Sequence, residues 1–341
     1  MGAEGGRHLG DDRDDMRSRA PAPSEPAQGT EPDATRGPAL VAGPEPPRPL
    51  GAGRGARRKG RASAWRWLGV LPFFAYTTLF LLVPTIELIV KSFEGPKGSF
   101  STANVSRLFS GEYLSAYATS VELSAITAAA GGLFGLFIAY GAVHGRLPAF
   151  IRPLLSTFSG VAANFAGIPL AFAFIATLGP TGVVTSLLNR AGLHIYNHGF
   201  TIFGMAGLSL TYIYFQFPLM ILIISPTLEG LRAEWREAAQ NLGATPAQYW
   251  RHVGLPLILP GLLGSTVLLF GNAFSAYATP YALTAGYINL VPVQIGAILQ
   301  GNVTVPNPQL GDALAFGMIV IIAVAVTLYV LLQRRAARWL P

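Results

Sequence analysis

Residues Ala313–Leu332 read ALAFGMIVIIAVAVTLYVLL, twenty residues without a charge between Asp312 and the pair Arg334-Arg335. About 20 apolar residues are what an α-helix needs to cross the hydrocarbon core of a bilayer. A membrane strand would need only about 10, and its side chains would alternate in polarity. The spacing therefore predicts a transmembrane helix, and the same test can be run backwards along the chain.

Five more stretches pass it. The expected spans are about 68–90, 117–143, 154–178, 201–227, 257–278 and 313–332, inside a membrane domain covering 65–341. Trp65 and Trp67 stand at the expected interface depth of the first span. Pro169 and Pro218 fall inside the third and fourth spans and are expected to kink them. The fold class that follows is an all-α membrane protein with six transmembrane helices. The composition agrees: 51% of residues are hydrophobic and 12% charged, where soluble domains carry about 25% charged residues. This argues against an ordinary cytosolic enzyme of this length. The chain has no cysteine, which excludes disulfides, thiolate metal sites and Cys nucleophiles.

Residues 1–64 are of another kind. They are rich in Pro, Gly, Ala and charge, and residues 1–53 hold six Lys/Arg against nine Asp/Glu. Too few aliphatic side chains are present to offset the entropy of ordering, so a disordered cytoplasmic tail is expected. No apolar run follows the start, which argues against a signal peptide.

Lys and Arg near the spans set the expected orientation. Fourteen lie before the first span, between spans two and three, between four and five, and after six; four (Lys91, Lys97, Arg107 and Arg190) lie on the other side. The richer side is expected to be cytoplasmic, with both termini. The net charge of +7 is thus a topology marker, and no nucleic-acid partner is expected. Gly131 and Gly135 in the second span have the GxxxG spacing that permits close helix approach. Polar residues within spans are candidates for a substrate pathway or for interhelical hydrogen bonds. Asn164, Tyr212, Gln216 and Asn272 are the pathway candidates, with Asn164 and Gln216 near the middle of their spans.

The connection between spans four and five carries the most information. Leu228, Leu231, Trp235, Ala238/Ala239 and Leu242 recur at three- and four-residue steps, which predicts one helix with an apolar stripe. Gly243 stands where a glycine would stop it. Thr245-Pro246-Ala247-Gln248 follows in capping-box order, so a second short helix is expected at an angle to the first. These stops and starts describe an elbow against the ends of the spans.

The elbow closely resembles the EAA loop of ABC importer permeases. The family pattern is Glu-Ala-Ala, three residues, Gly, nine residues, then Ile/Val-x-Leu-Pro. Here it is Glu237-Ala238-Ala239, Gly243, and Val253-Gly254-Leu255-Pro256. The resemblance implies a six-helix, type I importer-like bundle whose coupling helix docks on a cytoplasmic ABC ATPase. Glu237 would meet a basic group there, Ala238 and Ala239 would permit close approach, and Gly243 would make the turn. It further implies an ATPase dimer, a second permease subunit, identical or related, an extracytoplasmic solute-binding protein, and a prokaryotic inner-membrane location. Through Tyr277-Ala278-Thr279-Pro280 the chain is most similar to the spermidine/putrescine-type branch, which implies a polyamine-like solute.

No catalytic role is expected of this chain. A P-loop needs Gly-Lys-Ser/Thr, and no such triplet occurs. No cofactor is expected, ATP and Mg being bound by the partner ATPase. His194 and His198 are spaced i, i+4, but Gly192 and Gly199 make poor helix context, and no metal is expected. The alternative is an ion-coupled secondary carrier. It would account for the spans but not for the spaced elbow.

Overall fold

The structure, a computed structural model, describes residues 69–95, 98–145, 148, 150–301 and 307–337. The expected tail 1–64, the two interfacial tryptophans and the cations Arg54–Arg66, Lys97, Arg146 and Arg338 lie outside these. The described residues are helical apart from turns and one isolated antiparallel bridge, Glu94 with Phe100.

Helix α1 is Leu71–Ser92 and packs against the last helix. A short α2, Ala103–Arg107, leads to α3, Gly111–His144. Then come α4, Ile151–Asn164; α5, Ile168–Leu178; and α6, Val183–Arg190. Helix α7 is Met205–Glu229, α8 is Ala233–Asn241, and α9 is Pro246–Ser275. Two short helices follow, α10 (Ala278–Thr284) and α11 (Val291–Leu299), before α12, Pro308–Ala337. Among the described residues, six segments are long and apolar enough to cross a membrane: Leu71–Ser92, Gly111–His144, Ile168–Arg190, Met205–Glu229, Pro246–Ser275 and Pro308–Arg335.

The third crossing differs most from expectation. Helix α4 stops at Asn164 and α5 starts at Ile168, so residues 154–178 are two helices rather than one kinked one. Proline at position 169 clashes with the carbonyl four residues back and supplies no N–H. The chain responds by breaking before it and using Pro169 in the first turn of α5. Gly167 makes the break with φ +76° and ψ −147°, a conformation open essentially to glycine alone. Its N–H donates to Thr279 Oγ1 at 2.8 Å. Thr279 lies in α10, just past a second interruption at Ala276-Tyr277. Each broken helix thus helps to satisfy the other.

By length and apolarity alone Ile168–Arg190 is the third crossing, yet a turn at Gly179–Gly182 divides it. Arg152 favours α4 plus α5. Its guanidinium donates to the carbonyls of Ala142 and Val143 at 2.7 and 2.5 Å, so α4 begins beside the C-terminus of α3. Its 14 residues span about 21 Å, short of a core of about 30 Å, and α5 completes the passage.

Helices α3 and α7 form the central pair. A Cβ on Gly131 would stand 2.5 Å from Cβ of Gln216, and one on Gly135 2.5 Å from Cβ of Met220. The GxxxG spacing therefore brings two backbones together, as its small residues require. Around this pair, Ala128, Met220, Ile224, Leu228, Ile258 and Leu269 form a cluster shared by α3, α7 and α9. On the outside, Leu71, Phe73, Leu79, Phe80 and Val90 of α1 are exposed. Such an apolar exterior suits lipid or another membrane subunit, and backbone polar groups are satisfied within the helices.

Candidate functional site

The elbow is built from local rules. Helix α7 ends at Glu229, and Arg232 adopts extended ψ 139° before α8 begins. The expected stripe is therefore not one helix. Leu228 belongs to α7 and is fully buried, whereas Trp235 and Leu242 are exposed. Gly230 and the extended Arg232 interrupt a periodicity that continues only by coincidence. Helix α8 has no buried residue, and the Arg232 guanidinium lies over the Trp235 ring at 5.9 Å.

The end of α8 is a Schellman motif. Gly243 takes φ +78°; its N–H donates to Gln240 O, and Ala244 N–H donates to Ala239 O, both at 2.9 Å. The carbonyl of the second alanine in Glu237-Ala238-Ala239 thus anchors the turn. Thr245 then opens α9 with a capping box: Gln248 N–H donates to Thr245 Oγ1 at 3.3 Å, and Thr245 N–H to Gln248 Oε1 at 2.7 Å.

The second arm is not a separate short helix. It runs straight into the fifth membrane segment as Pro246–Ser275. Between them lies a π turn, Trp250–Gly254, in which Leu255 N–H donates to Trp250 O, five residues back. Pro256 explains it, because a proline ring crowds the carbonyl four residues earlier and a wider turn relieves the contact. Val253, Leu255 and Pro256 hence form the joint between elbow and span. Glu237 is exposed at the centre of α8 and has no ion pair among the described residues.

The four polar span residues do not gather into one site within this chain. Gln216 is fully buried, donates to Leu269 O at 3.1 Å, and leaves Oε1 without a partner among the described residues. Tyr212, one turn earlier on α7, is buried against Phe215. Asn164 is the exposed last residue of α4, not mid-helix, and donates to Gly160 O at 2.8 Å. Asn272 is exposed near the end of α9. Asn164 and Asn272 precede the two helix interruptions that Gly167 and Thr279 tie together. Ile195–His198 is a 3₁₀ turn, where i and i+4 do not share a face, and His194 Nδ1 pairs with Asn189 Oδ1 at 3.2 Å.

Two structural contacts escape sequence reasoning. Arg152 counts as a topology charge, yet it caps the C-terminus of α3. Thr279 reads as part of a branch motif, yet it fastens Gly167 from 112 positions away. Only the proline at 169 hints at the second.

Residues 131–340 match the family described as binding-protein-dependent transport system inner membrane component, over more than half of the chain. The chain is 26% identical over 227 residues to a probable sulfate transport system permease protein, cysT, of Nephroselmis olivacea, covering 65% of this chain and 72% of that one. It is 28% identical over 186 residues to the molybdenum transport system permease protein ModB of Mycobacterium tuberculosis (strain ATCC 25618 / H37Rv), covering 54% and 65%. Its fold is similar to a chain of a bacterial ABC transporter involved in the import of the acidic polysaccharide alginate, with TM-score 0.62, 19% identity, and coverage of 81% and 96%. A second structure of the alginate transporter, in complex with alginate pentasaccharide-bound periplasmic protein, gives TM-score 0.60 at 18% identity, with coverage of 81% and 96%. The chain belongs to the family of binding-protein-dependent transport system inner membrane components, and it is a multi-pass, non-catalytic ABC importer permease subunit.

Proposed function

We infer that the elbow receives the motion of a cytoplasmic ABC ATPase and converts it into alternating access of the membrane helices. The observation that carries this is α8: rigidly capped at its end, yet without one buried residue in its own chain. A helix that exposes Trp235, and Leu242 at its cap, beside a Glu237 with no ion pair among the described residues is built to be covered by something else. Two such chains, identical or related, would form the pathway, with the ATPase dimer on the elbow side. A solute-binding protein would dock opposite, and the periplasmic protein bound to the alginate transporter supports that partner by analogy. The elbow side, rich in Lys and Arg, would be cytoplasmic, with both termini.

For the solute, the names of the relatives favour a small oxyanion over a polyamine. The Tyr277–Pro280 stretch, on which the polyamine expectation rests, is occupied structurally: Thr279 holds Gly167, and Pro280 is buried. The test is gentle purification from the native membrane, identification of the proteins that accompany the chain, and ATP-driven uptake by the reconstituted complex. An ATPase and a sister permease are expected, with uptake of labelled sulfate or molybdate. Uptake of spermidine alone would return the polyamine reading. Transport driven by an ion gradient, with no ATPase present, would favour a secondary carrier.

A further inference from the structure

Trp250 opens the π turn and reaches beyond the elbow. Its indole meets the ring of Tyr140 on α3 edge-on, with centroids 5.3 Å apart and planes at 71°. Tyr140 in turn stacks on His144, the last residue of α3, at 4.9 Å and 22°. Gly254 sits under the same indole, where a Cβ would come within 2.7 Å of Cε3. Trp250 also packs against the buried cluster that joins α3, α7 and α9. From the other side, Arg236 and Gln240 of α8 line a small cavity with Tyr140 and Trp250. One side chain therefore packs on α3 and on the cluster of α3, α7 and α9, and faces a small cavity that it shares with α8. Beneath it, the π turn gives α9 a place to yield.

We propose that Trp250 is a positioning residue that carries displacement of α8 into α9 and α3, with Tyr140 as the surface it bears on. The proposal rests on the coupling reading above. A close-packed ring with fixed neighbours transmits displacement, whereas a void in its place absorbs it. Without the ring, the cavity between α8 and α9 widens, and beside α8 there remain the turn at Leu242–Ala244 and the first residues of α9, Pro246 and Tyr249.

The native chain has no cysteine, so single cysteines can report motion. A fluorescent maleimide is placed at Leu242→Cys on the elbow, or at Ser275→Cys at the far end of α9, in the complex with its co-purified partners. Fluorescence is read on adding ATP and vanadate. In Trp250→Ala the response at position 242 is expected to persist, while that at 275 falls at least fivefold. Trp250→Phe should restore it. Gly254→Ala, which displaces the indole, should imitate Trp250→Ala and serves if that variant fails to accumulate. An undiminished response at 275, or loss at 242 and 275 together, overturns the relay. If position 242 does not respond even with Trp250 in place, the coupling reading itself fails and the relay with it.

Discussion

At Gly131 and Gly135 the missing side chains are what let α7 lie against α3. Alanine at either position would place a Cβ 2.5 Å from Gln216 or Met220, a distance that forces the helices apart. Overpacking of this kind costs about 1–3 kcal/mol. Gly131→Ala and Gly135→Ala are therefore expected to lower the Tm of the purified protein. Gly141→Ala, where a Cβ meets nothing within 4 Å, should leave it unchanged. Equal shifts at 131, 135 and 141 would contradict the close approach. Gly243 is a different case. Nothing crowds it, so its requirement is conformational: left-handed backbone costs a residue with a Cβ about 1–2 kcal/mol.

Among the elements, the two interrupted helices are tied through Thr279 and Gly167. Thr279→Val removes the acceptor of the Gly167 N–H and leaves that donor unsatisfied, at a cost of about 1–3 kcal/mol. Faster amide exchange over residues 165–168 is expected, with Thr279→Ser restoring protection; unchanged exchange in Thr279→Val would count against the tie. These elements also show what a sequence can and cannot disclose. The turn at Gly243 and the capping box at Thr245 and Gln248 were legible because their partners lie within a few residues. The α7–α8 break was hidden because Leu231 and Trp235 happen to continue a helical period across Gly230. The α4–α5 break was only half visible. Pro169 says a helix is disturbed there, but the threonine that stabilises a full interruption comes from another part of the chain. For the same reason nothing in the sequence shows that Asn164, central in the expected span, stands at the end of a helix.

Over the whole molecule, α1 buries no part of its apolar window, and the elbow helix buries no residue. Both surfaces are left for other components, lipid or protein. The six spans were readable from composition, since continuous apolarity needs no partner to be recognised. The substrate was not readable, because the polar span residues divide between a buried core and two exposed helix ends. Orientation is open to direct test. Tyr287, 92% exposed between α10 and α11, and Leu242, 88% exposed on the elbow, lie on opposite sides in a six-span topology. In intact cells an impermeant maleimide is expected to label Tyr287→Cys, and Leu242→Cys only after permeabilisation. The reverse pattern would invert the topology.

If energy enters through the elbow, disturbing its charge and its turn must uncouple the chain from its ATPase. The most direct test compares the wild-type chain with the double variant Glu237→Arg, Gly243→Val. The measurement is the amount of ATPase subunit that co-purifies with each, read beside Tm and ATP-driven uptake. At least a tenfold loss of ATPase and of uptake is predicted, with Tm falling no further than the left-handed strain at Gly243, about 1–2 kcal/mol, explains, because both positions are exposed, nothing crowds Gly243, and Glu237 has no ion pair among the described residues. Full retention of the ATPase together with undiminished uptake would contradict it.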